Sequence, residues 1–292
     1  MGSLKEIRTR ITSVKSTKQI TSAMKMVSAA KLKKAQDSIV QMRPYARKLH
    51  DILTHISSNI ETSEGNPYSA QRSLNRVALI IVTANRGLCG GFNANVTRKT
   101  IDLLNSDYAE QYENGLVDLF LVGKKGGDTL KSKGYSFTIL DNDILEESSY
   151  ENAEKIAEKL MKLFEDKTYD RIDFVYNQFK NAASQILTHE QFLPIEMSQD
   201  ETHHDNYNYI FEPDLAYMID VLIPEALKVQ FYKAILDSKA AEHGARMTAM
   251  HQATDNATEL IQDLNLVYNK ARQSSITDEI LEIVSGAEAL KS

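Results

Sequence analysis

Two heptad seams, one at each end of the chain, limit what this sequence can fold into. From Leu32, apolar or small residues recur at alternating steps of three and four: Leu32, Ala35, Ile39, Met42, Ala46, Leu49, Leu53 and Ile56. Ile7, Ile11 and Val14 lie in the same frame, which then lands on Lys18, Thr21, Lys25 and Ser28, so the apolar seam lapses there. Such a repeat belongs to a helix wound against another helix. Pro44 leaves the phase unchanged and predicts a kink at most. A second seam runs from Leu215 through Met218, Leu222, Ala226, Val229, Tyr232, Leu236, Ala240, His243, Met247, Met250, Thr254, Ala257, Ile261, Leu264 and Tyr268 to Ala271. Only Pro224 and Gly244 interrupt it, and Pro213 precedes it at a position suited to a helix start.

The middle of the chain has a different pattern. RVALIIVTA (76–84), LVDLFLVG (116–123) and YSFTILD (135–141) are apolar runs of strand length, separated by helical patterns at 96–105 and 153–164. Alternation of strand and helix predicts a largely parallel sheet with helices on its faces. DRIDFVYNQF and SQILTHEQFLPI, joined by KNAA, read as an antiparallel pair at an edge. The division is therefore a helix over 1–61, a linker over 62–75, an α/β domain over 76–198, a linker over 199–211 and a helix over 212–288. The expected fold is α/β: an antiparallel coiled coil of the terminal helices plus a central Rossmann-like domain. If Ile56 lies opposite Leu215, equal rise sets Leu4 opposite Val267, within about a heptad. Residues beyond Tyr268 then lack a partner in the chain, yet Ile276, Ile280, Leu281, Ile283 and Val284 are spread around that helix. Another protein is expected to cover them.

Charge sets the N-terminal arm apart. The net charge is −6, but residues 1–50 hold 12 Lys+Arg against 2 Asp+Glu, which leaves −16 on the remainder. Lys5, Arg8, Lys15, Lys18 and Lys25 recur at steps of three and seven and suggest a basic stripe for an anionic partner. Residues 1–44 contain no aromatic, so base stacking and membrane-interface anchoring lack their usual side chains. Acidic loops of a protein suit the stripe equally well. The small, unbranched Ala, Ser and Met of ITSAMKMVSAAKLKKAQ (20–36) suit surfaces that move past one another.

No constellation argues for catalysis. GLCGG (87–91) follows a strand and precedes a helix, but neither it nor GKKGG (123–127) fits a nucleotide fingerprint, so both read as tight turns. Cys89, the single cysteine, reads as a packed small residue and excludes an internal disulfide. His203-His204 lacks metal-ligand spacing, His243 falls on the seam, and Asp141, Asp143, Glu146 and Glu147 read as a solvated charge run. No apolar run reaches the ~20 residues that span a bilayer, and MGSLKEIRTR lacks the apolar core of a secretory signal. No cofactor and no metal is expected.

MGSLKEIRTRITSVKSTKQITSAMKMVSAAKLKKAQ, RGLCGGFN, AEHGARMTAMHQATDNA and LVYNKARQSSITDEILEIVSGAEAL closely resemble, in that order, segments of the gamma-subunit family of the rotary, proton-driven ATP synthase. The resemblance is weaker over 100–210. It implies a non-catalytic rotor in the central stalk, which couples proton flow through a membrane c-subunit ring to ATP synthesis or hydrolysis on a ring of three alpha and three beta subunits. It implies an epsilon subunit as a further partner, no nucleic acid, no direct insertion into the bilayer, and a peripheral place on the cytoplasmic face of a bacterial inner membrane. By the same resemblance Met24 and Lys25 face an acidic loop of a catalytic subunit, and Arg246, Gln273 and Thr277 contact the ring elsewhere. Plastid relatives add a regulatory cysteine pair, which a chain with Cys89 alone lacks. A coiled-coil scaffold or nucleic-acid-associated protein with an α/β cap is the alternative.

Overall fold

The computed structural model describes residues 4–59, 67–70, 72–146, 148–195 and 215–289. The 199–211 linker with its His203-His204 pair, all of 62–66, Pro213 and Glu147 lie outside them. The element order is α1 (Leu4–Asn59), β1 (Val77–Val82), α2 (Phe92–Asn105), α3 (Ala109–Glu113), β2 (Val117–Val122), α4 (Lys124–Ser132), β3 (Thr138–Asp141), α5 (Tyr150–Glu165), β4 (Arg171–Phe179), β5 (Gln185–Leu193) and α6 (Leu215–Ala289). Both seams form unbroken helices, with Pro44 inside α1 and Pro224 inside α6. The chain divides into two compact units, Ala29–Arg246 and Met1–Ser28 with Met247–Ser292. α1 and α6 therefore contribute residues to both.

In the larger unit the sheet order is β3-β2-β1-β4-β5. β1 pairs parallel with β2 and β4, with Val77 opposite Val117 on one side and Arg171 on the other, and β5 closes the edge antiparallel to β4. The expected parallel sheet and its antiparallel edge pair are both present. β1, VALIIV, is buried throughout, as a central strand covered on both faces must be. Its odd residues Val77, Leu79 and Ile81 pack with Val96, Leu103 and Leu104 of α2 and Leu130 of α4. Its even residues Ala78, Ile80 and Val82 pack with Leu160 and Phe164 of α5 and with Ile223, Leu227, Phe231 and Ile235 of α6. α5 starts where the Ser149 hydroxyl accepts the Asn152 N–H at 3.3 Å.

The contribution of α6 to that core was not foreseen. Its expected seam residues Val229, Leu236 and Ala240 are buried, but so is an adjoining stripe that covers the sheet. GKKGG also differs from the expected turn. Gly123 caps α4 at φ 93°, and Gly126 and Gly127 lie within the helix. A Cβ on Gly126 would stand 2.7 Å from the Thr83 side chain, and one on Gly127 2.8 Å from Phe137. These glycines allow α4 to approach the sheet closely.

Candidate functional site

The smaller unit is an antiparallel helix pair whose seam mixes buried apolar residues, Ile11, Met250, Ala257 and Leu264, with buried hydroxyls. Thr21 is buried, and its Oγ1 lies 2.8 Å from Thr254 Oγ1. Thr254 also lies within donating reach of the Met250 carbonyl at 2.7 Å and Thr21 of the Lys18 carbonyl at 3.1 Å, so either hydroxyl can be the donor between them. One turn along, Lys25 Nζ is 3.2 Å from His251 Nδ1, and that nitrogen is 3.3 Å from Asp255 Oδ2. Ser28 is buried as well and donates to the Met24 carbonyl at 2.7 Å. The heptad frame therefore continues through the stretch where the apolar seam lapses, with hydroxyls in place of aliphatic groups. Extending the rise from Thr21–Thr254 sets Leu4 level with Ala271, about one turn beyond the equal-rise expectation.

Placement divides the basic stripe. Lys5, Arg8 and Lys15 are exposed, whereas Lys18 and Lys25 are half-buried along the seam, because steps of three and seven drift across a helix face over this length. Met24 is half-buried beside them. Gln273 and Thr277 are exposed, and Thr277 Oγ1 donates to the Gln273 carbonyl at 3.0 Å. Ile276, Ile280, Leu281, Ile283 and Val284 are all exposed, Ile283 at 71%. The outer face of α1 adds Ile20, Met26 and Val27, which the seam did not single out. Exposed large apolar side chains thus occur on both helices of this unit.

In the larger unit the loop after β1 adjoins the carboxyl end of β4, the switch point where open α/β sheets take ligands. Here side chains fill it: Ala84, Cys89 and Phe92 pack with Ala241 of α6, with Phe179 and Ala245 alongside. The first amides of α4 are also taken. Lys124 N–H donates to Asn85 Oδ1 at 3.2 Å, Lys125 N–H to the Ala84 carbonyl at 3.0 Å and Gly126 N–H to Thr83 Oγ1 at 3.0 Å. The first turn of α4 therefore offers no free amide for a phosphate in the manner of a nucleotide loop. Asp141 likewise works within the chain, its Oδ1 accepting from the amides of Asp143 and Ile144 at 2.6 and 3.0 Å.

Arg246 lies in this crevice, 8% exposed. Its Nη1 donates to Glu242, and its Nη2 donates to the carbonyls of Arg86 at 3.1 Å and Gly87 at 3.3 Å. Burial pushes the Cys89 thiol up, while Arg246 draws it down and Glu242 pushes it further up. Asp237 and His243 on α6 are buried, and Asp237 Oδ1 and His243 Nδ1 have no hydrogen-bond partner among the described residues. A separate buried carboxylate, Asp173, lies 3.0 Å from Arg171 Nε and 2.7 Å from His189 Nε2, and accepts from the Tyr108 hydroxyl. That cluster joins β4 to β5 and to the α2–α3 turn. Among the described residues no group of His, Cys, Asp and Glu could hold a metal ion, and no helix is long and apolar enough to cross a membrane.

A sequence model of the family described as ATP synthase matches residues 3–290. The chain is 53% identical over 290 residues to the ATP synthase gamma chain of Christiangramia forsetii, covering 99% of both chains. The chain belongs to the ATP synthase gamma chain family. Among solved structures it is similar to a chain of the Tetrahymena thermophila mitochondrial ATP synthase central stalk and c-ring. That match has a TM-score of 0.57 at 25% identity and covers 80% of this chain and 99% of the other. A chain of the Euglena gracilis mitochondrial ATP synthase gives a TM-score of 0.65 at 23% identity over 98% of this chain and 94% of the other, a likeness of fold.

Proposed function

We propose that this gamma chain is the central-stalk rotor subunit of a bacterial rotary ATP synthase. It couples proton flow through a membrane c-subunit ring to ATP synthesis or hydrolysis on a catalytic ring of three alpha and three beta subunits. It is non-catalytic, carries no cofactor, and sits peripherally at the cytoplasmic face of the inner membrane, with an epsilon subunit as a further partner. The observation that carries this reading is the end-to-end identity with bacterial gamma chains.

The geometry fits the role. A shaft that meets three equivalent surfaces in succession needs contacts that are adequate against each and tight against none, since burying one large apolar side chain is worth ~1.5–3 kcal/mol. Met24, Lys25 and their neighbours offer mid-sized, flexible and charged groups there. Gln273, Thr277 and the apolar residues from Ile276 to Val284 would be sheathed by the ring, and Lys5, Arg8 and Lys15 would meet its acidic loops.

The test is composition of the assembly. A tag on this chain should bring down six larger nucleotide-binding chains, and the isolated chain should show no saturable binding of ATP or NAD. Recovery of the chain as a stable self-association without those partners would overturn the reading.

A further inference from the structure

The crevice where this fold class takes a ligand is closed by the chain's own helix, and its occupant is a guanidinium. Arg246 reaches two consecutive carbonyls, of Arg86 and Gly87, at 3.1 and 3.3 Å. Its other arm is held by Glu242 on the previous turn, with the two side chains 10% and 12% exposed. The next residue of the loop, Leu88, stands at φ 63° and is 65% exposed. A left-handed leucine facing solvent is unfavourable in both backbone and hydration, so the loop needs anchors. Arg246 is one. Asn93 is another, its Oδ1 accepting the Ala84 N–H at 2.8 Å and its Nδ2 donating to Cys89 Sγ at 3.3 Å.

We propose that Arg246, oriented by Glu242, is a positioning residue that latches the Arg86–Gly91 loop onto α6, and that energy coupling in the assembled synthase requires the latch closed. The second part rests on the rotor reading. The chemistry selects arginine, because one planar fork serves two carbonyls and a carboxylate at once, whereas a lysine serves fewer with less fixed geometry. Without it, the partly buried Arg86 and Gly87 carbonyls would lose a charged donor and the buried Glu242 carboxylate its cation, and the loop would open to reach water. This gives Arg246 a task inside the chain, distinct from the ring contact that family resemblance implies.

Cys89, the chain's only cysteine, lies beneath the loop at 1% exposure and serves as a native reporter. In the full-length chain, Arg246→Ala should speed maleimide labelling of Cys89 by about tenfold or more, the scale of one lost charge-assisted hydrogen bond. Loss of the cation alone would raise the thiol's pKa and slow labelling, so acceleration reports opening. Arg246→Lys should fall between, and it carries the test if the alanine variant does not fold. In the assembled complex, protons pumped per ATP hydrolysed should drop in Arg246→Ala and partly recover in Arg246→Lys. Labelling that is unchanged or slower overturns the latch. Faster labelling with an unchanged pumping ratio overturns its part in coupling. Failure of the wild-type chain to assemble with nucleotide-binding subunits sinks the rotor reading instead, and leaves the labelling result standing.

Discussion

Thr21 of α1 and Thr254 of α6 share a hydrogen bond of 2.8 Å across the antiparallel seam, and each also reaches a carbonyl of its own helix, Lys18 at 3.1 Å and Met250 at 2.7 Å. This rung replaces an aliphatic layer. Polar layers in helix pairs cost stability and specify register, since a shifted pairing breaks the bond between the two hydroxyls.

The first prediction concerns that rung. Thr21→Val or Thr254→Val alone should cost up to about 1 kcal/mol, because the hydroxyl–hydroxyl bond is lost while the remaining hydroxyl keeps the carbonyl on its own helix, Lys18 for Thr21 and Met250 for Thr254. The double valine variant should recover most of that loss, giving a coupling energy of roughly 0.5–1.5 kcal/mol in a double-mutant cycle by urea unfolding. Strict additivity of the two single changes would show that the hydroxyls do not interact.

A second prediction follows from Asp237. Burial pushes its carboxyl up to about 6; Lys233 and Arg43 oppose the rise, Glu190 adds to it, and the Phe179 amide opposes it. Its ordinary value is 3.8, so between about pH 4 and 6 the folded chain holds a proton that the unfolded chain has released. Stability should therefore fall as pH rises through that window. Asp237→Asn removes the buried charge and should be more stable than wild type above pH 6 by about 1–3 kcal/mol, with the difference vanishing near pH 4. Urea midpoints at pH 4, 5, 6 and 7.5 check this, and a pH-independent difference would contradict it.

The strands were legible because a central parallel strand is an uninterrupted apolar run, as in VALIIV, and the helices because the 3.5-residue repeat survives over many turns. Thr21 and Ser28 were hidden because a hydroxyl counts as polar in a pattern while packing like a small aliphatic group in a seam. Phe231 and Ile235 were hidden differently. α6 is apolar on two adjoining stripes in the larger unit, and periodicity shows that both are buried without showing that one covers a sheet. Gly126 and Gly127 read as a turn because glycine signals a turn when the approach of α4 to Thr83 and Phe137 is unknown. Arg246 left no signal of its task, since its partners are backbone carbonyls 160 residues away in sequence.

His243 titrates with the opposite sign to Asp237. Burial draws it down to about 4, and Arg246, Lys31 and Lys239 reinforce the shift. The unfolded imidazole titrates near 6.5, so as pH falls from 6.5 toward 4 the unfolded chain gains the proton first and stability is lost. Between pH 4 and 6 this loss offsets the gain at Asp237, and the wild-type profile should be shallow there. His243→Gln removes the loss, so its stability should rise more steeply on acidification than wild type does. A parallel profile for the two proteins would place the imidazole in water instead.

The last prediction compares one substitution at two positions of the same helix. Replacing an exposed helical glycine by alanine gains roughly 1 kcal/mol, because glycine gives up more backbone freedom on folding. Gly286 has nothing within 4 Å of an added Cβ, and Gly286→Ala should show that gain. At Gly244 the same atom would stand 3.0 Å from the Ala182 carbonyl oxygen. That carbonyl belongs to the β4–β5 turn, where Asn181 Oδ1 accepts from the amides of Ala183 at 3.0 Å and Ser184 at 2.8 Å, so the turn has little room to retreat. Gly244→Ala should therefore destabilise by about 1 kcal/mol despite its better helix propensity, as overpacking does. Thermal unfolding of the two variants beside wild type decides the matter: a stabilised Gly244→Ala would mean that the turn yields, and that α6 does not need a bare backbone where it passes Ala182.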